Sequence, residues 1–289
     1  MINKRCLKRC GVVISGVLIC TLVSVVVVRE GMAAPEQTTV ELTGVIWDFR
    51  PSHPDFDVAP ANGFGHTMWN IAPDLGPRAK PVYLGGGAKV DSQCWDNVND
   101  RPICWTLYDP DLGDTEAVRD NLDNGAVTSP TTFDQWFNNY PGVNMSGLVT
   151  VTGVYQESGD YAGMYEINEP QFYPIDGTLL GNDSKHNNFF AFEILAEFVH
   201  DTAANHQLMF KSDDDTWVFI DGRLVADLGG IKGSAEQWVE LNRLNLVEGE
   251  IYRIHMFTTN RGGNPRLHLV TSIPLTTSPV LPTISFLFD

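Results

Sequence analysis

Polar and apolar side chains alternate along much of this chain with a period of two. Phe190, Phe192, Ile194, Ala196 and Phe198 occupy every second position. Successive side chains of a strand point to opposite faces, so the spacing predicts a strand rather than the short helix that 191–200 could also form. Segments 43–49, 148–155, 206–210, 216–220, 223–228, 251–258 and 266–273 read as strands too. Gly, Pro, Asn and Asp interrupt them at short intervals, as in a sandwich or barrel. Thr216-Trp217-Val218-Phe219-Ile220 is apolar on both faces and predicts a central strand covered on each side. It runs into Asp221-Gly222, a pair that tolerates the positive φ angles of a two-residue hairpin turn.

Elsewhere the alternation lapses. Residues 51–144 are rich in Gly, Pro, Asn and Trp with little periodicity, which predicts long ordered loops draped over the strands. Residues 274–282 form a Pro/Thr/Ser linker, and 284–288 a short apolar, strand-like tail. The length suits one large all-β domain.

The N-terminus has a different character. Lys4, Arg5, Lys8 and Arg9 precede an uncharged run from Gly11 to Val28, and Gly31-Met32-Ala33-Ala34 follows. A basic start, an apolar core and small residues predict a secretory signal over 1–33, cleaved after Ala33. The apolar run is also long enough to serve as an uncleaved membrane anchor. Cys6, Cys10 and Cys20 fall inside this segment, leaving Cys94 and Cys104. Two cysteines in an exported protein most simply form one disulfide, here closing a loop worth about 3 kcal/mol.

Charge sharpens the picture. The chain carries 19 Lys and Arg against 36 Asp and Glu, a formal net charge of −17. The signal segment holds five of the basic residues and one Glu, so its loss moves the balance to −21. Such a surface repels nucleic acid and anionic membranes and favours divalent cations.

Against that background, Asp213-Asp214-Asp215 lies directly before the central strand. Neighbouring carboxylates repel by about 1 kcal/mol per pair in water. A solvated acidic turn is one reading. The other is a cation that offsets the repulsion, for which Ca2+, a hard ion bound by oxygens, is the extracellular candidate.

Several stretches together resemble the fibro-slime domain family. Asp213-Asp214-Asp215-x-Trp217-Val218-Phe219-Ile220-Asp221-Gly222, followed by Leu224-Val225-x-Asp227-Leu228-Gly229-Gly230, is similar to its signature. Leu42 to Phe49 with His53-Pro54-Asp55-Phe56, Phe133 to Phe137 with Pro141 to Asn144, Phe172 to Gly177, and His186 to Glu193 match in family order. The resemblance covers roughly residues 40–273. Fibro-slime domains in turn resemble the sandwich domain of anthrax protective antigen and of flocculin-type adhesins. The implied fold is an antiparallel, jelly-roll-like β-sandwich with long ordered loops.

The same resemblance implies a site. In sugar-binding members an Asp-Asp pair, here Asp213 and Asp214, holds a Ca2+ that also touches ligand hydroxyls. Asp215 replaces the usual Gly and would either add an oxygen ligand or block the loop geometry. A second loop supplies further ligands, and its counterpart is Thr259 to Asn264, with Asn260 and Asn264 as candidate donors. Arg261 in that loop would contact ligand or pair with an Asp.

Other chemistry has little support. His53, Asp55, Asp57 and His66 lack any metal-binding spacing, and Gly-x-Ser-x-Gly is absent. Trp47, Trp136 and Trp217 read as core. Trp95 and Trp105 each follow a cysteine, so their loop could present two rings to a sugar. The expectation is therefore a secreted or cell-surface, non-enzymatic module that binds carbohydrate or a matrix glycan through Ca2+. The rivals are a self-associating protein of extracellular fibres, slime or surface layers, and a glycan-active enzyme.

Overall fold

A computed structural model describes residues 37–278. The expected signal segment, its three cysteines and the apolar tail lie outside the described residues. The first long strand is β1 (Thr39–Phe49). An excursion follows with β2 (Thr67–Met68), β3 (Gly87–Ser92), β4 (Cys94–Asp96), β5 (Arg101–Ile103) and β6 (Val118–Asp123). The chain then returns through β7 (Asn144–Tyr155), β8 (Tyr165–Glu169), β9 (Phe189–Val199), β10 (Gln207–Ser212) and β11 (Thr216–Ile220). It closes with β12 (Arg223–Leu228), β13 (Ala235–Glu240), β14 (Ile251–Arg261), β15 (Leu267–Thr271) and β16 (Thr276–Thr277). Among the described residues no helix is long and apolar enough to cross a membrane.

The expected all-β sandwich is present. Its strands follow the order β12-β11-β14-β9-β1-β7-β8-β15-β10-β13-β5-β4, with β2-β3-β6 as a separate small sheet. Every long pairing is antiparallel, and the one exception is a parallel bridge between Trp238 and Ile103. β11 is buried at all five positions between β12 and β14. Its hairpin turns at Asp221 (φ 50°) and Gly222 (φ 80°), as the pair requires.

The excursion over 51–144, expected as long ordered loops, contains short strands and a helix besides. A short helix, α1 (Pro130–Asp134), starts at Ser129, whose side chain and that of Thr132 cap each other's backbone N–H. The residues just beyond it carry Trp136 onto Trp217, with ring centroids 6.2 Å apart. Trp47, Trp136 and Trp217 are all fully buried. This aromatic contact fastens the excursion to the sandwich.

The expected disulfide is corrected. Cys94 and Cys104 are buried free thiols. β4 and β5 pair Cys94 with Ile103, and Cys104 lies just past the end of β5, where it starts the next turn. Cys94 Sγ instead accepts the Ala117 N–H at 3.3 Å, and Cys104 Sγ accepts the Thr106 hydroxyl at 3.2 Å. Ion pairs tie this ribbon down: Arg243 meets Asp96 and Asp114, and Arg101 meets Glu240.

Candidate functional site

The acidic run forms the corner between β10 and β11, and the three carboxylates do different things there. Asp215 is fully buried. Its Oδ1 accepts the Gly230 N–H at 2.6 Å, and its Oδ2 accepts the Thr259 hydroxyl at 3.0 Å and pairs with Arg261 Nε at 2.9 Å. Its main-chain oxygen takes the Thr259 N–H and the Thr216 and Thr258 hydroxyls. Both carboxylate oxygens are thus committed to protein donors, and the expected role of Asp215 as a metal ligand is corrected to a structural one.

Arg261 is corrected with it. Its side chain is wholly buried, and beyond Asp215 it donates to the carbonyls of Gly125 and Ala126. No guanidinium surface is left for a ligand. The charge of Asp215 is met inside the protein, which removes one of the three repelling groups.

Asp213 and Asp214 are the pair that faces a cavity. Asp214 takes a left-handed backbone (φ 56°), and its Oδ2 accepts the Arg261 N–H at 2.6 Å. Burial pushes its carboxyl up to about 6, although the Arg261 charge acts against this. Asp213 is half-buried, and its Oδ1 has no hydrogen-bond partner. Burial also raises its pKa, opposed by the charges of Lys232 and Arg266.

Sequence reasoning missed Lys232. This buried side chain donates to the main-chain oxygen of Asp214. Burial pulls its ammonium down to about 8, while Asp215, Asp214 and Asp213 act to raise it. Its one signal in the sequence is being the lone charge between Leu228 and Ser234. Gly229 and Gly230 just before it permit a close approach: a Cβ on Gly230 would lie 2.5 Å from the Gly65 carbonyl oxygen.

The cavity beside the pair measures about 650 Å3, within the range of small-molecule sites. Asp213, Asp214 and Lys232 line it, as do Gly262, Gly263 and Asn264. Asp57, Val58, Ala59 and Phe64 close it from the excursion. A second cavity of about 500 Å3 shares Asp57, Gly262 and Gly263 with the first. Asn264 is exposed, and its Oδ1 lies 3.3 Å from the Tyr173 hydroxyl. Asn260 does not line the cavity. It is buried in β14, donates to the Asn188 carbonyl at 2.6 Å, and leaves Oδ1 without a partner.

The donor set tests the fit of a cation. Among the described residues no three His, Cys, Asp or Glu side chains group closely enough to hold a metal ion by themselves. Ca2+ takes about six to eight oxygens, and carbonyls and amides serve as well as carboxylates. The orphaned Asp213 Oδ1 and the Asp214 carboxylate are oxygens of the kind it takes, while the Gly263 carbonyl and Asn264 Oδ1 lie within 3.3 Å of the Tyr173 hydroxyl. Lys232 supplies part of the balancing charge already.

The expected Trp pair does not converge. Trp105 Nε1 donates to Asp227 Oδ2 at 2.9 Å, whereas Trp95 Nε1 donates to Asp100 at 3.1 Å. Trp105 lines a pocket of about 160 Å3 with Trp69, and Trp95 is not part of it. Neither reaches the carboxylate cavity. His53, Asp55 and His66 are taken up by internal bonds to Gln135, Trp136 and the Asp227 carbonyl.

Comparison with known proteins places the chain. A family model of the PA14 domain matches residues 126–278, and the chain belongs to the PA14 domain family. It is 34% identical over 170 residues to protein psiQ of Dictyostelium discoideum, covering 53% of this chain and 17% of that protein. It is 28% identical over 254 residues to protein psiC of the same organism, covering 83% of this chain and 42% of that one. The chain thus spans less than half the length of these curated relatives. The PA14 sugar-binding domain from an RTX adhesin superposes with a TM-score of 0.26 at 14% identity, over 39% of this chain and 71% of that one. That overlap is too loose to carry an argument.

Proposed function

We propose that this chain is a secreted or cell-surface module of the fibro-slime type that binds carbohydrate through Ca2+. The cation would sit on Asp213, Asp214 and the 262–264 loop, and vicinal sugar hydroxyls would complete its coordination. The observation that carries this reading is the buried, unpartnered Asp213 Oδ1 beside Asp214 on a cavity of about 650 Å3. A buried acceptor without a donor costs about 1–3 kcal/mol, and a cation or a ligand hydroxyl would remove that cost.

The other groups have definite parts in this reading. Asp215 and Arg261 neutralise each other and hold the corner. Arg261 N–H fixes the Asp214 carboxylate. The Lys232 ammonium lowers the local negative charge, which sets cation affinity toward the weak end of extracellular Ca2+ modules, about 0.1–1 mM. Occupancy would then follow the calcium of the surrounding medium.

A glycan array probed with and without chelator tests the reading. The expected result is a set of hits that vanish with chelator and return on adding Ca2+. Hits insensitive to chelator would remove the metal from the mechanism. No hits, together with concentration-dependent multimers, would favour the structural rival.

A further inference from the structure

We infer that Phe64 is the stacking platform of the ligand cavity, and that the ligand is a saccharide lying with a contiguous C–H face on that ring. The inference rests on the carbohydrate reading above and adds the ligand's orientation to it.

Phe64 is 69% exposed, whereas every other phenylalanine among the described residues is at most 5% exposed. Burying such a side chain removes a large apolar surface from water. A single exposed apolar residue on open surface would need no explanation. Phe64, however, lines the same cavity as Asp213 and Asp214.

The backbone that carries the ring is held by several bonds. Lys89 Nζ donates to three successive carbonyls, those of Asn62, Gly63 and Phe64. Gly63 has φ 79° and donates its N–H to Pro60 O at 2.9 Å. Gly65 N–H reaches Ile231 O at 3.0 Å, next to Lys232. The backbone on both sides of Phe64 is therefore fixed, with its downstream neighbour bonded to the wall that carries Lys232. Ordering the segment that carries the ring before the ligand arrives lowers the entropy lost on binding.

The chemistry of the walls selects the ligand class. The lining combines the carboxylates of Asp57, Asp213 and Asp214 and the Asn264 amide with the apolar side chains of Phe64, Val58 and Ala59. A pyranose matches both, with hydroxyls on its edge and C–H bonds on its face. The negative face of an aromatic ring attracts those weakly positive C–H bonds. Phe64 lies in the excursion, outside the stretch matched by the PA14 family model.

The test is calorimetric titration of the methyl glycosides of glucose, galactose, mannose and N-acetylglucosamine into wild type, Phe64→Ala, Phe64→Trp and Lys89→Met, all with Ca2+. Each protein is also titrated with Ca2+ alone. Phe64→Ala should weaken glycoside binding about tenfold, equal to about 1.4 kcal/mol, and leave Ca2+ binding unchanged. Phe64→Trp should keep or tighten it, and Lys89→Met should weaken it less than Phe64→Ala. Wild-type affinity in Phe64→Ala would overturn the platform and leave the carbohydrate reading intact. No glycoside binding by the wild type would overturn both.

Discussion

Two buried carboxylates hold the acidic corner in shape, and they are satisfied in different ways. Asp215 meets a cation, Arg261, while Asp227 meets neutral donors: the indoles of Trp217 and Trp105 and the Trp69 N–H. Without a paired cation, burial pushes the Asp227 carboxyl up to about 6. His66, bonded to the Asp227 carbonyl, is pulled down to about 3 by burial and by the Lys232 charge. The two act in opposite directions. Asp227 binds its proton more tightly folded than unfolded, so its contribution to stability falls as pH rises from about 3.8 to about 6. His66 holds its proton less tightly when folded, so its contribution rises with pH from about 3 to 6.5. A His66→Gln variant removes the second effect. Its melting temperature should decline from pH 4 to pH 6 more steeply than that of wild type. Parallel curves would contradict the assignment.

At the scale of elements, Gly44 shows how tightly the sandwich is drawn. It sits in β1 opposite Ile194 of β9. A Cβ there would lie 2.2 Å from the Glu193 carbonyl oxygen and 2.7 Å from the Phe192 ring. Gly44→Ala should therefore cost about 1–3 kcal/mol as an overpacked site, read as a lowered urea midpoint. An unchanged midpoint would mean that β1 and β9 yield without cost. The alternation at Phe190 to Phe198 and the apolar run at Thr216 to Ile220 made β9 and β11 legible, because their patterns are set by burial alone. β13 was not legible. Its Gln237 is fully buried, bonding the Asp227 N–H and the Gln93 side chain, so a polar residue stands where alternation expects an apolar one. The small sheet of the excursion was missed for a related reason: β6 is exposed at five of its six positions, and an exposed strand leaves no apolar period to read.

At the scale of the molecule, the cavity is assembled from segments far apart in sequence: 57–64, 213–214, 231–233 and 261–264. Asp213 and Asp214 could be picked out because adjacent carboxylates are unusual in themselves. Lys232 and Phe64 could not, since neither carries a local pattern and each gains its meaning from the fold. The disulfide was expected because ten positions of separation in an exported chain suit one, while in the fold Cys94 pairs with Ile103 and both thiols are free. A net charge of −17 adds a general pull on divalent cations, screened beyond about 10 Å at moderate salt. The account therefore turns on whether cation capture is local to the pair or diffuse over the surface. Calorimetric titration of Ca2+ into wild type, Asp213→Ala and Asp214→Ala decides this. The account predicts saturable binding at about 0.1–1 mM in wild type and its loss in both variants. No heat in the wild type, or equal heat in all three proteins, would contradict it.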